Sequence, residues 1–222
     1  LPRLLDEWRA AGAVVTVTTG PGFGGYDTVP EALGRAAYRI VEEGGVAPAY
    51  ASIAAAVSAA SNGDRIIIKN RGGDVPWIET ITVGKSLEFL NHADNDFFVV
   101  QGNWTINAGS DRDVVIKGMH NLSGSILATS GSGVGGTRLS VLDGKFVAGN
   151  INISSDAFRA RIVGNELLAG YIRINIGHVI GNSIAIATGD MALRVQPSTA
   201  TFQGDTCVIM ANRVSSTNEN GE

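Results

Sequence analysis

"RIVGNELLAGYIRINIGHVIGNSIAI", residues 161–186, holds Val163-Gly164-Asn165 and, seventeen residues later, Ile180-Gly181-Asn182. An apolar strand lies between them, with Ile172 and Ile174 seven and nine residues after Asn165. Ile151 and Ile153 stand at the same two offsets from Gly144. Working outward, related positions occur at Ile67, Phe89-Leu90-Asn91, Ile116-Lys117-Gly118, Leu142-Asp143-Gly144 and Met210-Ala211-Asn212, in steps of 22, 27, 26, 21, 17 and 30 residues. Leu193 and Val195 follow Asn182 by eleven and thirteen, which places four extra residues in that connecting turn. A period that drifts while its strands stay alike suits stacked coils whose loops absorb the insertions.

No such coil buries its apolar side alone. Ile, Val and Leu must stack on like residues about 4.8 Å above and below, so the reading is a parallel β-helix. At its bends glycine or asparagine tolerates the left-handed backbone, and stacked asparagines exchange side-chain hydrogen bonds along the axis. Asn165 and Asn182 are expected as neighbours at one corner, with parallel strands near 115–117, 141–143, 162–164 and 179–181. In this register Asp143 lies over Lys117 and Glu166 over Lys145, opposite-charge contacts of roughly 0.2–1 kcal/mol each.

Composition agrees with many short strands joined by tight turns: 29 glycines, 44% hydrophobic and 6% aromatic residues in a chain of 222. A net charge of −4, with 17 basic residues spread along the sequence, leaves no footprint for nucleic acid. The longest apolar stretch, Ala10 to Val17, falls far short of the ~20 residues of a membrane span, so no membrane partner is expected. The N-terminus lacks signal-peptide patterning, although Leu1 leaves room for a processed leader. A single Cys207 makes neither an intramolecular disulfide nor a cysteine metal site, and no cofactor or metal is expected.

Ahead of the coils, "YASIAAAVSAASNGDRIIIK" (50–69) predicts a capping helix over 50–62 with Ile53, Ala56, Val57 and Ala60 inward, then a strand at Ile66, Ile67 and Ile68. Such a helix covers the bare strand edges at the end of a coil stack. Continued by "GGDVPWIETITVGKSLEFLN" (72–91), this stretch resembles the start of right-handed parallel β-helices of the pectin lyase-like superfamily. The pectin methylesterase branch is similar in its order of helix, strand, aromatic, acid and apolar strand, with Trp77 and Glu79 as the aromatic and the acid. The resemblance spans 50–215 as architecture. It implies an all-β, right-handed, single-stranded parallel β-helix of about six coils with an N-terminal capping helix and a small mixed head. The division is then 1–49, a head or attachment region, and 50–222, the β-helix. Within the head, a helix at 2–11, a strand at 13–18 and a second helix from Pro30 to Glu43 are expected, and 123–140 reads as a flexible loop.

The catalytic motifs of that superfamily are present only as fragments. "FQGDTCVI" (202–209) interrupts Gln203-Asp205-Thr206 with Gly204, Gly177-His178-Val179 holds part of a Gly-His-Gly, and Asp94, Asp96, Asp111 and Asp113 read as loop acids. No same-face carboxylate pair at the ~5–9.5 Å of glycoside hydrolysis arises in the register. No catalytic residue is therefore assigned. Instead Asn152, Arg173 and Arg194, the outward residues of "INI", "IRI" and "LRV", stack in line. Two guanidinium groups about 5 Å apart call for an anion, which predicts a binding strip for sulfated or carboxylated glycan or for an acidic partner subunit. The chain also resembles non-catalytic β-helix proteins of bacteriophage virions, such as tail spikes, fibres and capsid decoration proteins. That resemblance implies a structural or binding module at a virion or extracellular surface, partnered by itself as a homotrimer or by other virion subunits. The alternative is a carbohydrate-active enzyme, a polysaccharide lyase, hydrolase or esterase using Asp205 or His178.

Overall fold

The computed structural model describes residues 37–110, 112–130, 136–186, 192–195 and 207–216. The helix expected at 2–11 and the strand at 13–18 lie outside these residues. The described residues open with strand β1 (Tyr38–Val41) and helix α1 (Ile53–Ala59). Six coils of three strands follow. They are β2 (Arg65–Ile68), β3 (Trp77–Ile78) and β4 (Ile81–Val83); β5 (Leu87–Asn91), β6 (Phe98–Gln101) and β7 (Trp104–Ile106); and β8 (Arg112–Lys117), β9 (Met119–Asn121) and β10 (Ile126–Leu127). The next are β11 (Thr137–Leu142), β12 (Lys145–Phe146) and β13 (Ile151–Ile153); β14 (Phe158–Val163), β15 (Glu166–Leu167) and β16 (Ile172–Ile174); and β17 (Gly177–Ile180), β18 (Ser183–Ile186) and β19 (Leu193–Val195). Strands β20 (Val208–Met210) and β21 (Arg213–Ser216) begin another turn.

Each coil gives one strand to each of three parallel sheets, so the chain is a parallel β-solenoid of about six turns. The first sheet runs β1-β2-β5-β8-β11-β14-β17-β20, the second β3-β6-β9-β12-β15-β18-β21 and the third β4-β7-β10-β13-β16-β19. Alternate residues of each strand point into the tube, as period-2 geometry requires. Ile66, Phe89, Ile116, Val141, Ile162 and Val179 form one inward ladder of the first sheet, all fully buried. In the third sheet Ile151 stacks on Ile172 and Ile153 on Ile174, and these continue to Leu193 and Val195 as the spacing predicts.

Asparagine and glycine hold the bends. At the corner between the first and second sheets, Asn165 Nδ2 donates to Asn182 Oδ1 at 3.0 Å, and Asn182 Nδ2 donates to Asn212 Oδ1 at 2.9 Å. The residue before each, Gly164, Gly181 and Ala211, has a positive φ, which accounts for the recurring Gly-Asn. At the next corner Gly149 has φ 152°, and a Cβ there would lie 1.8 Å from the Gly124 carbonyl oxygen, so only glycine lets these coils approach.

Four expectations are corrected. The stretch 30–43, read as helix, contains strand β1, whose residues pair with Arg65–Ile68; the alternation of Tyr38, Arg39, Ile40 and Val41 finds a sheet to join. The first sheet thus begins ahead of residue 50. The register slips by one at two steps: Phe89 faces Ile66, not Ile67, and Ile116 faces Val141, not Leu142. The cause is an apolar residue on both sides of each strand, so identity alone does not say which points inward. The stretch 123–140 carries β10 and the start of β11, with 131–135 outside the described residues. Finally, each coil has a strand in the second sheet that the spacing does not predict, because strands such as Lys145–Phe146 are too short to show a pattern.

The capping helix is shorter than 50–62 but seats the expected Ile53, Ala56, Val57 and Ala60 in the core. Ser52 Oγ accepts from the Ala55 amide, and the Glu79 carboxylate accepts from the Ile53 and Ala54 amides at 3.0 and 2.8 Å. At the other end Lys85 Nζ donates to the carbonyls of Val57, Ser58 and Ala60. Glu79 and Trp77 therefore have structural roles, the latter buried with Nε1 donating to the Lys69 carbonyl.

Candidate binding faces

Stacking in register converts each outward strand position into a row running along the tube. In the third sheet Asn152, Arg173 and Arg194 form the row expected from sequence. Arg194 is exposed and Arg173 half-buried, while Asn152 Oδ1 is buried without a hydrogen-bond partner. The same row continues through Leu127, Thr105 and Thr82, so cations occupy only its C-terminal end.

The first sheet carries a second cationic surface that the spacing argument missed. Strand β14 reads Phe158-Arg159-Ala160-Arg161-Ile162-Val163, and its two arginines point outward between buried residues. Arg159 faces Arg138 on the neighbouring strand, and Arg161 lies between Ser140 and His178. All three arginines and His178 are exposed. The alternation in "FRARIV" was the signal. Towards the N-terminal half each of these rows carries one carboxylate, paired with an arginine: Asp113 with Arg138 at 3.0 Å, and Glu88 with Arg65. Beside these rows runs an outward apolar one. Ile40 faces Ile67, which faces Leu90; further along, Leu142, Val163, Ile180 and Met210 continue the line, with Lys117 beside Leu142 as its single charge.

The loop 92–97, between β5 and β6, borders two clefts. One, of about 670 Å³, is bordered by Lys117, Asp143, Lys145 and Glu166. Both expected ion pairs are found here, Lys145–Glu166 at 3.3 Å and Lys117–Asp143 at 3.9 Å. The other, of about 460 Å³, is bordered by Asp74, Asp94, Asp96, Phe97 and His120. Burial, with help from the Lys145 charge, holds the His120 imidazole below its ordinary value, and its Nε2 is buried without a hydrogen-bond partner. Asp94 pairs with His92 at 3.1 Å, and Asp113 with Arg138 as above, so these acids are not gathered with an arginine around one centre. His178 stands on the open outer face of the first sheet, away from any cleft described. Asp111, Gln203 and Asp205 lie outside the described residues, among which no group of three His, Cys, Asp or Glu side chains is placed to hold a metal.

Compared with models of known protein families, with curated proteins and with solved structures, the chain has no match. The architecture therefore stands on the register of its own strands. No described helix is long and apolar enough to cross a membrane.

Proposed function

We propose that the protein is a non-catalytic structural and binding module, a β-solenoid whose first sheet docks against an acidic partner at a virion or extracellular surface. The observation that carries this reading is the outer face of that sheet, where an apolar row runs beside exposed Arg138, Arg159 and Arg161. An apolar stripe flanked by polar and charged rows is the make-up of a protein interface, and the arginines select an anionic surface. The Asn152, Arg173 and Arg194 row offers a further cationic strip for an acidic glycan or subunit. The pectin lyase-like kinship and the placement in a phage spike, fibre or capsid decoration belong to this proposal and rest on likeness of architecture. With immobilised heparin as polyanion probe and nanomolar protein, binding is expected to weaken steeply with salt. The double change Arg159→Ala and Arg161→Ala should weaken it more than tenfold with unchanged circular dichroism. Binding indifferent to both salt and mutation would remove the reading.

A second reading, a carbohydrate-active enzyme, draws on the cleft bordered by Asp74, Asp94, Asp96 and His120. It requires shortened or unsaturated products from an acidic polysaccharide and their loss in Asp96→Asn.

A further inference from the structure

The first sheet's outer face is self-complementary, and we infer that it docks a second copy of this chain about a two-fold axis parallel to its strands. The inference rests on the docking role proposed above and names the partner. The sheet has eight strands, so its midpoint falls between β8 and β11. A two-fold axis there, along the strand direction, keeps every outward row on itself and reverses the order of strands. It sets β8 on β11, β5 on β14, β2 on β17 and β1 on β20.

Each consequence follows from the register. In the row of Arg65, Glu88, Ser140 and Arg161, Glu88 of one copy meets Arg161 of the other. In the neighbouring row Asp113 meets Arg138, and the axis generates the pair twice, giving a square of two carboxylates and two guanidinium groups. In the apolar row Leu90 meets Val163, Ile67 meets Ile180 and Ile40 meets Met210, while at the centre Lys117, the row's one charge, meets Leu142. None of Arg65, Arg138 and Arg161 faces an arginine. The opposite arrangement, with the axis along the tube, would set Arg161 on Arg161 and Glu88 on Glu88 while pressing Arg138 onto the apolar row. Charge therefore selects the antiparallel pair. Seven spacings of ~4.8 Å by a mean strand length of ~16 Å project to roughly 540 Å² per partner, and the ~1,080 Å² of the pair falls near the lower bound of specific interfaces.

Sedimentation velocity of the full chain tests this. The parent is expected as a dimer. Glu88→Arg alone opposes two cations and Arg161→Glu alone opposes two anions, so each should associate at least tenfold more weakly. An equimolar mixture of the two variants restores opposite charges at both contacts and should recover the dimer. Circular dichroism establishes that each variant is folded, and Arg161→Gln serves where Arg161→Glu does not fold. Single variants that dimerise like the parent, or a mixture that stays monomeric, overturn the two-fold. A parent that is monomeric at about 100 μM overturns self-docking as well. Heparin binding lost in the Arg159→Ala and Arg161→Ala variant would then leave the acidic-partner reading standing, and absence of any heparin binding would remove both.

Discussion

Asn182 accepts hydrogen bonds from the backbone N–H and the side-chain Nδ2 of Asn165, and donates through its own Nδ2 to the Ile162 and Ile180 carbonyls and to Asn212. It is buried, so water cannot replace what it supplies. Asn182→Ala leaves the Asn165 amide N–H without its acceptor and opens a gap between coils. Each buried polar group left unsatisfied costs ~1–3 kcal/mol, so a loss of at least about 2 kcal/mol is expected in urea unfolding. Asn212→Ala, at a half-exposed rung, should cost less. Equal costs would show that the asparagines act singly. This ladder was legible in the sequence because few residues both follow a left-handed bend and bond along the axis. Arg39 was not legible: it points inward at the top of the stack, where its guanidinium meets buried Asp64 at 2.7 Å and the Tyr50 hydroxyl at 2.7 Å. A charge in an inward slot makes the segment look helical until its partner, 25 residues away, is known.

Between one coil and the next, two glycines with positive φ answer to different constraints. Gly181, at φ 65°, has open space where a Cβ would go. Gly181→Ala therefore bears only the left-handed backbone cost of about 1–2 kcal/mol. Gly149 combines φ 152° with a carbonyl oxygen in the very place of a Cβ, so Gly149→Ala must push two coils apart. Overpacking adds ~1–3 kcal/mol to the backbone strain, and the second change should lower the melting temperature at least twice as far as the first. Comparable shifts would mean that the coils separate without cost at that corner. The repeat of strands was readable at this scale from paired isoleucines such as Ile151 and Ile153 over Ile172 and Ile174. The exact partner was not readable at Ile116, where Leu142 and Val141 are both apolar and only one is buried inward. That slip also hid the outward apolar row of the first sheet, because the recurring Leu142, Val163 and Ile180 belong to it. The arginines of β14 were legible as outward charges, but their rows emerge only when Arg138 is placed beside Arg159.

For the molecule as a whole, a solenoid has nearest-neighbour stability, so its ends decide where opening begins. The N-terminal end is closed: α1 covers it, and Ile66 and Ile68 beneath are fully buried. Helix α1 is itself fastened at both ends, by Glu79 and by Lys85. Towards the C-terminal end, Ile209 occupies the inward slot below Val179 and Val214 the one below Ile184, yet they are 49% and 50% exposed. Their strands have a neighbour on one side only in the described sheets. Opening β20 and β21 therefore forfeits little apolar burial, whereas opening β11 or β14 breaks contacts on two sides. Amide exchange should reflect this gradient, with β20 and β21 at least ~100-fold less protected than β14, a difference of about 2.7 kcal/mol in opening free energy. Lys85→Met removes the ammonium from three helix carbonyls and should loosen α1, raising exchange in β1 and β2 while leaving β11 and β14 unchanged. Uniform protection across all coils, or a Lys85→Met effect spread evenly along the tube, would mean that the solenoid opens as one cooperative unit and that α1 does not act as an end cap.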